Sequence, residues 1–390
     1  MIAYNKTWLA NLRLQNALEE DKLKGHITNA EFKAVADKYP VGFYTPGIFA
    51  RIGLFILTCI VVGFADGLLS LLFASASDLI ETPGWMFFLA ILSYITLEVI
   101  INSKHHFRSG VDDALLFISA LLFSVACGML FSHYNVVYYV PVSAAIFVLS
   151  LYFSIRFADI LMGAVCCAAF LAFVYFNWTK FIPSGMATIP FVIMLASGGL
   201  YWRCKGHGKH KMLADYHNCF TMAQIVFLLT LYAAGNYYIV QTLSNEISGQ
   251  PGRTIPFGVF FWLWTMVLPF VYIGFGIRKK DGLLLRTGLI LVAGAIITFR
   301  YYYHVLSLDM ALTIGGALVL GIAYAVMKYL KEPQYGFTYA EPVTEDMIDH
   351  LKVESLIVAE TFAKAPTAPA EERTRFGGGD FGGGGSSSGF

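Results

Sequence analysis

The chain has 390 residues, of which 57% are apolar and only 14% are charged, about half the charged share of an average soluble domain. With a mean hydropathy of +0.62, a soluble fold could not hide so much apolar surface, so the composition predicts a chain that crosses a lipid bilayer many times. A net charge of +1 excludes the strongly basic surface that nucleic-acid binding needs.

The first predicted unit, residues 1–47, is a polar segment that we interpret as a cytosolic pair of short helices. Asn5 or Thr7 can cap the first helix, and Gly25 can end it. Thr28 and Glu31 have the spacing of a capping box, in which each side chain accepts a backbone N–H of the other residue.

Residues 48–331 form the predicted transmembrane domain. A helix needs ~20 mostly apolar residues to cross ~30 Å of hydrocarbon, and about ten stretches approach this length. They are residues 49–74, 84–102, 115–131, 136–153, 160–176, 187–202, 220–240, 257–277, 284–299 and 307–330. The expected fold class is therefore all-α, a polytopic bundle of about ten spans.

Lys and Arg residues cluster in every second predicted connection. The clusters contain Lys104, Arg108, Arg156, Arg203, Lys205, Lys209, Lys211, Arg278, Lys279, Lys280, Lys328 and Lys331. Because cytoplasmic loops of membrane proteins are enriched in basic residues, this alternation predicts an even number of spans with both termini in the cytosol.

The end of the chain is polar. Residues 332–375 are predicted to form a cytosolic connector and an amphipathic helix, with Met347, Leu351, Val358 and Phe362 roughly on one face. Residues 376–390 are a Gly-rich tail with almost no side chains to bury, which predicts disorder.

A short pattern of a basic residue followed by an aspartate precedes three outgoing spans. It occurs at Arg108 and Asp112, at Arg156 and Asp159, and at Arg278 and Asp281. The Asp can cap the new helix while the basic residue anchors to lipid headgroups. The alternative is descent from duplicated hairpins, as in many transporters.

Ionisable residues inside the predicted spans are the candidate functional site, because such groups are costly in a bilayer. Asp66 lies in the outer half of span one and can pair with Arg300, either as a structural ion pair or as a proton or substrate site. Glu98 lies towards the inner end of span two, where Lys104 or Arg108 can neutralise it. His304 follows Arg300 near the outer face.

A loop rich in Cys and His is a weak metal candidate. Its possible ligands are Cys204, His207, His210, His217 and Cys219. Their spacing fits no standard zinc pattern, and the neighbouring lysines repel cations, so contact with anionic lipid is the better interpretation. We expect no cofactor.

Two parts of the chain resemble known bacterial proteins. Residues 12–62, with the turn Gly25-His-Ile-Thr-Asn-Ala-Glu31 and a span that begins Arg51-Ile-Gly-Leu54, resemble a family of polytopic inner-membrane proteins of unknown function. The Asn-Trp pair expected after its first span is missing. The Gly-rich tail is similar to those of membrane proteins with a TPM-type domain. The resemblance implies a bacterial inner membrane and no established activity.

Three functions are compatible with the sequence. The first is a non-enzymatic scaffold or regulatory partner in a membrane complex, because the soluble segments all lie on one side. The second is a small-solute or ion transporter or channel that uses Asp66 and Arg300. A membrane enzyme acting on lipid or glycan ranks last, since only His133, His304 and Arg300 near the outer face could serve it.

Overall fold

The computed structural model describes residues 2–23, 26–73, 80–134, 139–182, 185–208, 211–248, 255–303 and 308–329. Within these ranges the chain forms thirteen α-helices and no strand, which confirms the all-α prediction. The connector, the amphipathic helix, the Gly-rich tail and Gly25 lie outside them.

The helices follow one another with short connections. They are α1 Lys6–Leu23, α2 Asn29–Lys38, α3 Ile48–Leu72, α4 Pro83–Lys104, α5 Val111–Tyr134, α6 Tyr139–Phe157, α7 Ile160–Phe181, α8 Gly185–His207, α9 His217–Gly235, α10 Tyr237–Ser248, α11 Gly258–Lys279, α12 Gly282–Tyr303 and α13 Leu308–Tyr329. A 3₁₀ helix, Lys211–Tyr216, leads into α9.

Within the described residues each predicted span overlaps a helix, and the seventh, 220–240, runs from α9 into α10. Among the described residues, eight helices are long and apolar enough to cross a membrane, namely α3, α4, α5, α6, α7, α9, α11 and α12. The other two predicted spans correspond to α8 and α13, with 23 and 22 residues. A 22-residue helix is about 33 Å long, enough to cross about 30 Å of hydrocarbon. The protein is therefore a multi-pass membrane protein.

The seventh span ends earlier than its apolar sequence predicts. The predicted stretch 220–240 is broken at Asn236, whose backbone is extended between α9 and α10. The Asn236 side chain accepts the backbone N–H of Ile239, which caps α10, and donates to the hydroxyls of Tyr232 and Thr298. These hydrogen bonds stabilise a break that hydropathy alone does not reveal.

Helix hairpins organise the bundle. The most extensive contacts lie within the pairs α4–α5, α6–α7, α8–α9 and α11–α12, while α3 packs on α5 and α13 packs on α12. One buried cluster centres on Leu97, Leu115 and Phe153, and another on Leu228 and Leu284. A third cluster, of Cys167, Leu171, Ala223 and Phe227, lies between α7 and α9, so the described core has three regions.

The basic connections meet at one end of the bundle, which we call the polar end. It contains residues 44–51, 104–113, 155–162, 203–208, 211–219 and 278–285. Three contacts link these segments: Arg51 with Asp113, Tyr216 with the carbonyl of Ile155, and Lys205 with Asp281. Arg51 Nε lies 2.8 Å from Asp113 Oδ2, and Tyr216 Oη lies 2.8 Å from Ile155 O. Lys205 Nζ pairs with Asp281 Oδ2.

Candidate functional site

Glu98 lies in a complete hydrogen-bond network between α4 and α6. Arg156 donates from Nε to Oε1 at 2.8 Å and from a terminal nitrogen to Oε2 at 2.9 Å. Tyr94 donates to Oε1 at 2.7 Å, and its oxygen lies 2.6 Å from Tyr152 Oη. An Arg fork on a carboxylate is a strong, geometrically specific contact, so this network stabilises the packing of α6 beside α4.

The partner of Glu98 differs from the one expected. Lys104 is six residues further along the same helix, and only residues three or four apart face each other on a helix. The Arg108 guanidinium instead lies over the Phe107 ring, 5.4 Å from its centroid. The correct partner, Arg156, comes from a different hairpin.

Two of the three aspartates in the repeated pattern cap the helix that follows them. Asp159 Oδ1 accepts the backbone N–H of Met162 at 2.7 Å, and Asp281 Oδ1 accepts that of Leu284 at 3.3 Å. Asp112 instead accepts the N–H groups of Arg108 and Ser109, which precede α5. The capping interpretation therefore holds for Asp159 and Asp281, whereas Arg156 binds Glu98.

A small polar cavity of about 10 Å³ lies where α5 and α7 begin, the space of one water molecule. Tyr4, Asp112, Asp113 and Asp159 line it together with Arg108. Burial raises the pKa of Asp159, and burial followed by the nearby carboxylates raises the pKa of Tyr4. Asp159 caps α7, Asp113 pairs with Arg51, and Asp112 accepts two backbone N–H groups of the preceding turn, so the arrangement is structural.

The residues before α1 attach the N-terminal helical pair to the polar end. The backbone N–H of Ala3 donates to the carbonyl of Arg156 at 2.7 Å. The buried Tyr4 ring contacts Phe107 edge-on, with centroids 4.8 Å apart. Arg13 Nη1 lies 3.2 Å from Asp215 Oδ1 and forms an ion pair with it. This contact does not have the angles of a hydrogen bond. Sequence reasoning missed Tyr4, since one aromatic residue in a polar segment carries no pattern.

Asp66 and Arg300 lie on helices that pack in different places. Asp66 is half-buried on α3, which packs on α5, whereas Arg300 is on α12, which packs on α11, α13 and α9. Among the described residues, no hydrogen bond or ion pair is formed by Asp66, so the structure does not bring these two together. His304 lies outside the described ranges.

Three of the five predicted metal ligands contact backbone groups, and Cys204 packs against the buried cluster that contains Cys167. His207 Nδ1 lies 2.9 Å from the carbonyl of Arg203, and Cys219 Sγ donates to that of Asp159 at 3.5 Å. His217 Nδ1 lies 3.5 Å from the carbonyl of Gly208, and His210 is outside the described ranges. Within those ranges, no three His, Cys, Asp or Glu side chains are grouped to hold a metal ion.

No protein-family model, curated protein or solved structure matches this chain. The resemblance of residues 12–62 and of the Gly-rich tail to bacterial proteins therefore stays a prediction.

Proposed function

We propose that this protein is a non-enzymatic scaffold or regulatory subunit of a complex in a bacterial inner membrane. In this proposal both termini are cytosolic, and the N-terminal helical pair is the docking element. The observation that carries it is the attachment of this pair to the polar end by Ala3, Tyr4 and Arg13. A segment fixed in this way presents its free face in a defined orientation, which lowers the entropic cost of binding.

The helical pair is also fixed internally. Asn11 Nδ2 donates to the carbonyl of Pro40 at 2.9 Å, and Gln15 Nε2 donates to that of Tyr39 at 2.7 Å. In contrast, α2 has no buried residue, so it is the part of the pair that is available to a partner.

A catalytic or midplane transport site has less support. The intramembrane carboxylate of Glu98 is fully engaged with Arg156 and Tyr94. Transporter sites are typically built at unwound helices, whereas α8 and α11 run as helices through Pro190 and Pro269. The one break inside a predicted span of the described chain is at Asn236, and its side chain is already bound to Tyr232, Thr298 and the backbone of Ile239. The half-buried Asp66 favours the second candidate function, a small-solute or ion transporter.

Charge reversal on α2 tests the docking role. Lys33 and Asp37 are exposed and one helical turn apart, so the double variant Lys33→Glu, Asp37→Lys keeps the net charge and the caps of α2. We expect it to lose specific proteins that co-purify with the wild type from native membranes, with an unchanged thermal unfolding temperature.

The matched control is Lys180→Glu, at the exposed C-terminal end of α7, which should retain those proteins. An identical set of co-purifying proteins in all three preparations would contradict the proposal. The transporter instead predicts that Asp66→Asn abolishes a solute or proton flux into proteoliposomes without loss of folded protein.

A further inference from the structure

Two helices of the membrane domain carry the same arrangement of residues where they approach the polar end. It consists of a large apolar residue, a glycine four positions later and an arginine four positions after that. It occurs as Leu195, Gly199 and Arg203 on α8 and as Phe270, Gly274 and Arg278 on α11. Because residues four apart lie on one helical face, each set forms a row along its helix, and we call the two sets the α8 row and the α11 row.

The apolar residue and the glycine of each row face away from the bundle. Leu195 is 80% exposed and Phe270 is 63% exposed. A Cβ atom added to Gly199 or to Gly274 would meet no atom within 4 Å. Each glycine therefore leaves an open notch in an apolar surface, about 6 Å before the arginine along the helix axis. In a multi-pass membrane protein, the medium that covers such a surface is the acyl chains of lipid.

The arginine of each row has no internal counter-ion. Arg203 and Arg278 are exposed, and neither guanidinium forms a hydrogen bond or an ion pair with a residue that the structure describes. Other basic residues of the polar end each bind a carboxylate, namely Arg51, Arg156 and Lys205. Both rows therefore end in a positive charge that the described part of the chain leaves uncompensated.

Neighbouring side chains place both arginines at the level of the lipid headgroups. Beside Arg203, Trp202 is 77% exposed, and an exposed indole is typical of a membrane interface. Beside Arg278, Lys279 Nζ lies over the ring of Phe275, 5.4 Å from its centroid. This ammonium is thus directed back along α11 towards the membrane, where it adds a second positive charge to the α11 row.

We propose that each row binds one anionic phospholipid of the leaflet at the polar end. The arginine binds the phosphate, and an acyl chain lies in the notch at the glycine. Arginine suits this role because its planar guanidinium can donate two parallel hydrogen bonds to a phosphate. The sites lie on helices other than α2, so they are independent of the docking role proposed for the helical pair.

Other occupants fit the rows less well. A soluble anion such as free phosphate can contact Arg203 or Arg278, but it makes no use of the notch beside an apolar side chain. An acidic protein in the cytosol is excluded from the notch by the lipid around it. A zwitterionic lipid brings its own cation close to the guanidinium. An anionic phospholipid matches both the charge and the apolar notch.

Lipid retention provides the first test. Full-length protein is released from nanodiscs of equal parts phosphatidylglycerol and phosphatidylcholine, and native mass spectrometry counts the lipids that stay bound. We expect Arg203→Gln and Arg278→Gln each to retain one phosphatidylglycerol fewer than the wild type, and the double variant to retain two fewer.

The matched control for lipid retention is Lys104→Gln. Lys104 is an exposed cation at the polar end, but the residue four positions before it is Ile100 and not a glycine. This variant should retain the wild-type number of lipids. Equal retention of the two lipids by the wild type, or the same loss in Lys104→Gln as in Arg278→Gln, would show nonspecific attraction and overturn the proposal.

Spin-labelled lipids provide the second test, which separates shape from charge. Electron spin resonance gives the affinity for phosphatidylglycerol relative to phosphatidylcholine, and we expect Arg278→Gln to lower this ratio about fivefold at the α11 row. Gly274→Leu fills the notch and leaves the charge unchanged, so it should lower the ratio as well. Gly63→Leu on α3 is the control, because Gly63 also faces open space but has Gly67 and not a basic residue four positions later.

The outcomes of the second test are distinct. A lower ratio in both α11 variants, with none in Gly63→Leu, supports the proposal. A ratio that falls in Arg278→Gln but not in Gly274→Leu would reduce the row to ordinary surface charge, and the proposal would fail. Displacement of the labelled lipid by an excess of inorganic phosphate would identify a site for soluble anions instead, which also contradicts it.

Discussion

Arg156 donates two hydrogen bonds to the two carboxylate oxygens of Glu98, although the residues are 58 positions apart in the chain. The pair joins α6 to α4 and leaves little of either side chain exposed, 28% for Arg156 and 18% for Glu98. Breaking a buried ion pair by removing one partner is costlier than removing both, because the remaining charge is uncompensated.

We therefore expect Arg156→Ala to lower the free energy of unfolding by about 3 kcal/mol. The double variant Arg156→Ala, Glu98→Ala should lose less. Arg156→Lys should also destabilise, because an ammonium cannot reproduce the bidentate contact. Thermal unfolding of the purified protein in detergent measures all three. A double variant less stable than Arg156→Ala would contradict this account of the pair.

Gly110 lies before α5 with φ +93°, where residues with a side chain are strained. A Cβ there would overlap the carbonyl oxygen of Arg51 and lie 2.9 Å from the backbone nitrogen of Phe55. Gly110→Ala should therefore push α3 away from α5 and lower the unfolding temperature. Gly128→Ala on α5 is the control, since its Cβ meets nothing within 4 Å. Equal unfolding temperatures in the two variants would refute the clash.

Tyr4 and Arg13 should contribute very unequally to the attachment of the helical pair. Tyr4 is buried among aromatic rings, and truncation of a buried aromatic residue costs about 3–5 kcal/mol. The Arg13 side chain is 46% exposed, and a surface ion pair contributes about 0–1 kcal/mol. Hydrogen exchange of residues 2–23 should accelerate strongly in Tyr4→Ala and little in Arg13→Ala. The reverse order would show that charge holds the segment.

Asp159 makes stability depend on pH in a defined direction. Burial raises its pKa in the folded protein, so the folded state binds this proton more tightly than the unfolded chain. The contribution of Asp159 to stability therefore rises as pH falls through the raised pKa, and levels off below the unfolded value of about 3.9. Asp159→Asn should keep the cap of α7 but remove this contribution.

Asp159→Ala distinguishes the stability that comes from the cap of α7 from the effect of the ionisable carboxyl group. It should lose about 1 kcal/mol at neutral pH through the missing cap, whereas Asp159→Asn should not. Unfolding temperatures measured between pH 4 and pH 8, at constant ionic strength, give both effects. A wild type and an Asp159→Asn variant with the same pH dependence would exclude Asp159 as its source.

Structural elements that depend on neighbouring residues, such as spanning helices and helix caps, could be predicted from the sequence. Apolar length predicted where the spanning helices occur, and the spacing of Thr28 and Glu31 predicted a capping box that is formed. The break at Asn236 was missed because the residues after it continue the apolar pattern, and its hydrogen bond to Thr298 is not local.

Contacts between hairpins could not be predicted in the same way. Glu98 has several basic residues near it in sequence, and only the placement of α6 beside α4 selects Arg156. Asp66 and Arg300 were both expected near the outer face, but α3 packs on α5 whereas α12 packs on α11, α13 and α9. Loop charge gives the side of the membrane on which a residue lies, but not which helices are neighbours.

The attachment of the helical pair imposes an order on biogenesis. Residues 2–23 leave the ribosome before their contact residues Phe107, Arg156 and Asp215, which are synthesised much later. At about 5–20 residues per second, this segment waits for on the order of ten seconds or more while six helices insert. During that interval Tyr4 is an exposed aromatic residue, available to chaperones and proteases, and its docking marks the assembly of the polar end.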